Sequence, residues 1–411
     1  MTSRERVICS LNHEQPDRIP IDFGAMRSTG INAIAYNKLK DYLNETEGTH
    51  LSYETTYIYD IWQQLAIPEQ WALDRFHADV LQLCRNTPNF GINIESYKPG
   101  ECTDGSFAMV PEGLNPVTDE RGAKLILNDK GVPIGKLPAG GHYFDSVIHP
   151  YEKIEEPEEL DEVFSMSLMS DHDLDIMEQQ AKDMYENTDK AILGEFIATF
   201  YEQGQYDFNY DTYFYNIAAE KELIHHYNKL LLNVYMEQLE KYLKRVGKYL
   251  TVIHFGDDLG TQQSLQISKE MYREMIKPYH RELYSYVHEN YPEIKVFLHS
   301  CGAIYEMIPD LIDVGVDVLN PVQLSAKGMD PVKLKENFGD KLSFWGGGIS
   351  TTQTGTFGTP EEVDAEVKRL MLIFGKGGGF VWNQVHNIQF DVPPANIVAM
   401  YDAAYKYGNI F

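Results

Sequence analysis

From residue 190 onward the chain repeats one unit: a short apolar run, a turn rich in glycine and polar residues, then a stretch with one apolar helical face. That alternation constrains the fold more than any single motif. Parallel strands need long crossovers, and helices supply them. The runs lie at 190–196, 249–256, 294–299, 317–320, 342–347 and 378–382. Between the first two, residues 220–246 predict a long helix with Leu223, Tyr227, Leu231, Val234, Leu239 and Leu243 on its buried side. Thr359, Pro360 and Glu362 make a capping box with proline at the first helical position, and 393–407 read as a closing helix.

The first half is less regular. Residues 2–11 predict a short helix with Ser3 as N-cap and Val7, Ile8 and Leu11 on one face. Residues 19–24 read as a first strand ending in a glycine turn, and 77–83 as a second. The pattern from 31 to 76 is helical, with Tyr36, Leu39, Leu43, Ile61 and Leu65 supplying apolar faces. Between 101 and 150, Gly105, Gly122, Gly131, Gly135, Gly140 and Gly141 punctuate short apolar pieces at hairpin spacing. An inserted antiparallel excursion is expected there, covering the mouth of a site or decorating an edge.

These segments give about eight strands, mostly alternating with helices, the content of a closed barrel. No G-x-G-x-x-G opens a helix after the first strand and no P-loop is present, so a nucleotide-binding sheet lacks support. The expected fold is α/β, a (βα)8 TIM barrel with an N-terminal helical extension and a β-hairpin insert, as one domain over 1–411. The formal net charge of −27 disfavours nucleic acid and anionic membranes as partners. With no apolar run of spanning length and no charged-then-apolar leader, a soluble, cytoplasmic protein is expected. Cys9, Cys84, Cys102 and Cys301 show no C-x-x-C spacing and are expected as free thiols.

In a barrel the strand ends converge on one mouth, so polar residues just after each strand are the candidates for chemistry. They are Asp22 and Arg27, Glu195, His254 with Asp257 and Asp258, His299 with Cys301, Asn320 with Gln323, and Asn383 with Gln384 and His386. His299 and Cys301 stand two apart at the end of an apolar run, so their side chains leave on the same side. An imidazole and a thiolate so placed suit zinc, and His386, just past the last strand, is the candidate third ligand. Glu195, Asp257 and Asp258 are candidates for an oxygen ligand, a partner to a ligand imidazole, or a proton donor. A helix cap or hydrogen-bond anchor is the plain alternative for each. Residues 196–215 are unusually aromatic and read as a loop that packs on itself, holds a planar substrate or covers a corrin face.

Six segments together resemble the uroporphyrinogen decarboxylase superfamily: 18–24, 256–260, 267–273, His299-Ser300-Cys301-Gly302, 315–321 and 393–397. Within it, the His-x-Cys-Gly element is similar to that of the cobalamin-dependent methyltransferase branch, whose members bind zinc through that His and Cys. The resemblance implies a barrel whose mouth docks against a separate corrinoid protein. Met26-Arg27-Ser28-Thr29-Gly30-Ile31 keeps only one arginine of the element with which the decarboxylases grip substrate carboxylates. Val385-His386-Asn387 stands where thiol methyltransferases of the branch carry a second cysteine ligand.

The pattern is most similar to methyltransferases that demethylate methoxylated compounds in anaerobes. The expected activity is therefore zinc-assisted methyl transfer of the O-demethylase type, between a small methylated substrate and the cobalt of a partner corrinoid (cobalamin) protein. Asp257, Asp258 and Glu195 are then the catalytic candidates. Arg27, Asn320, Gln323 and Asn383 are expected to bind substrate, and His299, Cys301 and His386 to hold the metal. Rival readings are a metal-free decarboxylase of a polycarboxylate such as uroporphyrinogen, a methylcobalamin:thiol methyltransferase, and a corrinoid-binding protein without catalysis. The chain has no D-x-H-x-x-G cobalamin signature, so the corrinoid is expected to come with a partner; a homodimer is left open.

Overall fold

The computed structural model describes residues 1–410. Seven short strands, β1 (Val80–Leu83), β2 (Ala191–Glu195), β3 (Val252–Gly256), β4 (Lys295–His299), β5 (Val318–Asn320), β6 (Ser343–Trp345) and β7 (Phe380–Val381), form one parallel sheet with neighbours in chain order. Its edges meet at Ile21. This residue pairs in parallel with Trp382, just past β7, and its carbonyl accepts the Asp79 N–H, just before β1, at 2.8 Å. The TIM barrel expected from the alternation is thus present, but its eighth stave is one bridging residue instead of a strand over 19–24. Pro20 has no N–H to give, and Asp22 turns the chain by accepting the Ala25 N–H at 2.7 Å.

Strand alternation sorts the side chains. Val80, Leu193, Val252, Phe297, Val318, Trp345 and Val381 point inward and pack in one buried apolar cluster, with Val7 and Leu11 of the helix Ser3–Leu11 against it. That helix sits at the start of β2, where the Arg4 N–H donates to the Asp189 carbonyl at 2.7 Å. Two residues further along the same inward rows stand Glu195, His254, His299 and Asn320. The barrel interior is apolar at the strand starts and polar at the strand ends. The outer helices pack on the sheet's other face in a second, larger core.

The N-terminal helix is capped by Thr2, one residue earlier than expected, because Thr2 and Glu5 close a reciprocal capping box. The helical reading of 31–76 holds for Ala33–Glu47 and Gln70–Arg75. Gly48, in left-handed backbone, stops the first helix. The β-branched and aromatic run 55–59 then leads into a hairpin of Ile58–Asp60 and Leu65–Ala66. The expected excursion is antiparallel: Tyr97–Glu101 pairs with Phe107–Pro111, and Val117–Thr118, Lys124–Leu127, Pro133–Leu137 and Asp145–Ser146 form a four-stranded sheet. The aromatic segment is not a loop. It forms the helices Tyr201–Phe208 and Tyr210–Ala219, with Tyr201, Phe208 and Tyr213 buried. All four cysteines are free. Among the described residues no helix is long and apolar enough to cross a membrane.

Candidate active site

A cavity of about 630 Å³ opens at the strand ends. His254, Asp258, His299 and His386 form part of its lining, Trp62, Phe90, Phe144 and Tyr206 give it aromatic walls, and Arg27 and Arg85 contribute two guanidinium groups. Tyr143, Phe144 and Ile148 come from the excursion, which therefore covers the mouth.

His299 ends β4 in the inward row. Its Nδ1 lies 2.6 Å from Asn320 Oδ1 at the end of β5. An amide oxygen only accepts, and the Asn320 orientation is fixed because its Nδ2 donates to the Trp345 carbonyl at 2.9 Å. Nδ1 therefore carries the proton, and the Nε2 lone pair faces Cys301 Sγ at 3.3 Å. The turn carrying Cys301 is held from two sides. The Cys301 N–H donates to Asp258 Oδ1 at 2.6 Å, and the Gly302 N–H to Gln323 Oε1 at 2.8 Å. Glycine is required there: φ is +94°, and a Cβ would stand 2.5 Å from the Gly260 backbone.

His386 follows β7 in left-handed backbone, with φ at 60°. Its neighbours lock it: the Val385 N–H donates to Ile349, and Asn387 accepts the Gly30 N–H and donates to Gln63. A non-glycine residue in that region costs about 1 kcal/mol and persists only where the surroundings hold it. One donor atom each from His299, Cys301 and His386 lies within 4.8 Å of the other two. Two imidazoles and a sulfur at that separation, beside a cavity, are a group that could hold a metal ion. Burial and the neighbouring His299 lower the His386 pKa to about 3, leaving the neutral ring that a metal needs. Burial, then Asp258 and Glu202, push the Cys301 thiol well above its ordinary value. A cation is what would hold that sulfur as thiolate.

Glu202, absent from the sequence candidates, is a second carboxyl lining this cavity beside Asp258. It stands in the first turn of the helix Tyr201–Phe208, lines the cavity, and its Oε2 accepts the Asp258 N–H at 3.1 Å. Burial, then the charges of Asp258 and Asp257, raise its pKa well above the carboxylate range. The signal was an acidic residue in a helical first turn directly after a barrel strand, concealed inside an aromatic run.

A family model described as uroporphyrinogen decarboxylase (URO-D) matches residues 198–407, which include β3 to β7 and all three candidate ligands. The chain belongs to the URO-D family. Uroporphyrinogen decarboxylase of Chlorobium limicola is 29% identical over 174 residues, 41% of this chain and 46% of that protein. The enzyme of Chlorobium phaeovibrioides is 32% identical over 136 residues, 32% of this chain and 36% of that protein. The chain thus spans less than half the length of these relatives. A solved structure described as a methyltransferase from Methanosarcina mazei superposes with a TM-score of 0.60 over 99% of both chains at 16% identity, a likeness of fold.

In this URO-D family member several residues expected at the site do other work. Asp257 is fully buried and accepts the N–H groups of Phe200, Tyr201 and Glu202 at 3.0, 3.0 and 2.8 Å, while His280 Nε2 lies 2.9 Å away. It anchors the helix that carries Glu202. Glu195 Oε1 lies 2.9 Å from Arg27 Nε in an ion pair that lacks the alignment of a hydrogen bond. Its Oε2 accepts the Arg85 main-chain N–H at 3.2 Å. Burial would raise the Glu195 pKa, but Arg27, Arg85 and His254 outweigh it and hold the carboxyl below its usual range. Glu195 is therefore a counter-ion, not a proton donor.

Arg27, expected to bind substrate, is shared between Glu195 and Asp60. Asn320 and Gln323 orient His299 and the Cys301 turn. Asn383 is buried below the cavity wall and donates to the Asp22 carbonyl and Gln384 Oε1. Asp22 is likewise structural: Trp345 Nε1 donates to it at 2.8 Å, and burial raises its carboxyl to about 6. His254 does line the cavity; burial lowers its pKa to about 3, and its Nδ1 has no partner.

Proposed function

We propose that residues 1–411 act as one URO-D-type barrel domain. It transfers a methyl group from a small methoxylated substrate to the cobalt of a corrinoid carried by a partner protein, with zinc held by His299, Cys301 and His386. The observation that carries this reading is the convergence of those three donor atoms within 4.8 Å of one another. Zinc bound there would supply Lewis acidity toward the substrate oxygen.

The chain's own residues supply the rest. Asn320 keeps the His299 proton on Nδ1 and so leaves Nε2 free. Asp258 fixes the Cys301 turn through the main chain. Loss of a methyl group from an ether leaves an alkoxide or phenoxide, which departs poorly at neutral pH unless protonated. Burial favours the protonated form of Glu202, which lines the same cavity, so it is our candidate proton donor. Trp62, Phe90, Phe144 and Tyr206 give the cavity an apolar wall against which a ring could lie.

The names of the matched relatives support a second reading, metal-free decarboxylation of a polycarboxylate. That chemistry needs several arginines aimed at the substrate. Arg18 is ion-paired with Asp79 at 2.7 Å, and Arg27 with Glu195 and Asp60. One test separates the two. Purified protein is analysed for zinc and then incubated with a reduced corrinoid protein and a panel of methoxylated aromatics, methylamines and thiols. Stoichiometric zinc and a cobalt absorption change with a methoxylated compound are expected. A metal-free protein that decarboxylates uroporphyrinogen would sink the methyl-transfer reading.

A further inference from the structure

Two arginines line the cavity, and they are not alike. Arg27 is shared between two carboxylates, whereas Arg85, on the turn after β1, forms no ion pair among the described residues. Glu195 takes only the main-chain N–H of Arg85. On the side chain, one terminal nitrogen donates to the Pro88 carbonyl at 3.3 Å, and Nε is sealed from solvent without an acceptor. A desolvated guanidinium with open donors is costly unless an anion completes it. Burial lowers the Arg85 pKa, with Glu195 opposing, as expected for a cation short of partners. The guanidinium remains charged all the same.

The rest of the cavity says what body the anion is attached to. Trp62 stands 5.8 Å from Phe90 and 5.4 Å from Tyr206, ring centre to ring centre, and Phe144 continues this wall. Around the mouth, Arg85 follows β1 and His299 ends β4, so three strand spacings separate them, on the order of 14 Å of wall. That distance accommodates a guanidinium-bound anion, one planar ring and an ether oxygen in line.

We infer that Arg85 grips an oxyanion of the substrate, and that the substrate is a methoxylated aromatic monocarboxylate lying along the aromatic wall with its methoxy group toward His299. The planar fork of one guanidinium matches one carboxylate, and among the described residues no second arginine free of an ion pair lines the cavity to hold a polyanion. The methoxy part of the assignment rests on the methyl-transfer reading; the anion anchor does not.

Calorimetric titration of the 411-residue protein tests this without any corrinoid. The probes are 4-methoxybenzoate, its neutral amide, 4-methoxybenzenesulfonate and 4-methoxyphenyl phosphate. The benzoate is expected to bind at least about tenfold tighter than the amide. Arg85→Gln should erase that preference while leaving amide affinity in place, and Arg85→Lys should keep part of it. If Arg85→Gln does not fold by circular dichroism, the shrinkage in Arg85→Lys decides. Equal affinity for acid and amide, or a preference that survives in the variants, overturns the anchor. Tighter binding of the sulfonate or the phosphate ester overturns the carboxylate assignment. Because only binding is read, a failure here is distinct from a failure of methyl transfer, which shows as a silent cobalt spectrum with every donor.

Discussion

The two sides of the cavity treat charge in opposite ways. On the Arg27 side, cation and carboxylates were folded in together, and Glu195, Asp60 and Arg27 largely cancel. On the His299 side, two imidazoles and a sulfur converge with two acids beside them, and among the described residues no lysine or arginine pairs with either acid. Burying a self-compensated ion group costs little beyond desolvation, whereas burying electron donors in excess is sensible only if something positive arrives later. The Arg27 group compensates its own charge on folding. On the proposed reading, the His299 group is completed by a cation.

The sharpest way to break this contrast is Cys301→Ala. Zinc content should fall from stoichiometric to trace after dialysis, and methyl transfer should drop by more than the roughly hundredfold that outer partners of a metal ligand usually cost. Full activity with metal retained would put both imidazoles and the sulfur back among ordinary core residues.

On the compensated side the expected loss is of stability. Arg27→Gln leaves Glu195 and Asp60 buried without their cation, and chemical denaturation should register a loss of about 3–5 kcal/mol. Arg27→Gln combined with Glu195→Gln should recover much of it. The pH dependence has a definite sign. The Glu195 carboxyl is held low, so its contribution is present above the ordinary carboxylate value and disappears as pH falls through the depressed one. The deficit of Arg27→Gln should therefore be greatest at neutral pH and shrink in acid.

Glu202→Gln should keep the bond from the Asp258 N–H and the zinc, yet slow the reaction by about a hundredfold. Since burial and the neighbouring acids raise the Glu202 pKa, the wild-type rate should decline as pH rises through the raised value. The variant should lack that alkaline limb. Asn320→Ala has the smallest expected effect, about tenfold in zinc affinity, because it frees the His299 ring without removing a ligand.

The order of the barrel strands was legible in the sequence because each βα unit is local: apolar run, turn and helix follow one another within a few tens of residues. The same-side geometry of His299 and Cys301 was legible for the same reason, as two positions on one strand. What the sequence hid is pairing across long separations. Nothing local distinguishes Asp257, which holds a helix end fifty-odd residues back, from Asp258 beside it, which lines the cavity. Arg27 and Glu195 are ordinary charged residues until the barrel brings strand ends together. Arg85 follows the run read as a strand at 77–83 but was not among the candidates, and Glu202 was lost among aromatic neighbours. The hairpin at 58–66 was mistaken for helix because short apolar runs carry no clear period.

His386 shows how a torsion can restrict evolutionary choice. Left-handed backbone admits asparagine, aspartate and histidine more readily than most side chains, and glycine most readily of all. A descendant that exchanged this imidazole for a thiolate would have to remodel the loop between Ile349 and Asn387 as well as the codon. The hardness of the proposed ligand set would therefore be inherited together with the shape of a turn, and drift at this locus should pass through glycine or asparagine more easily than through cysteine.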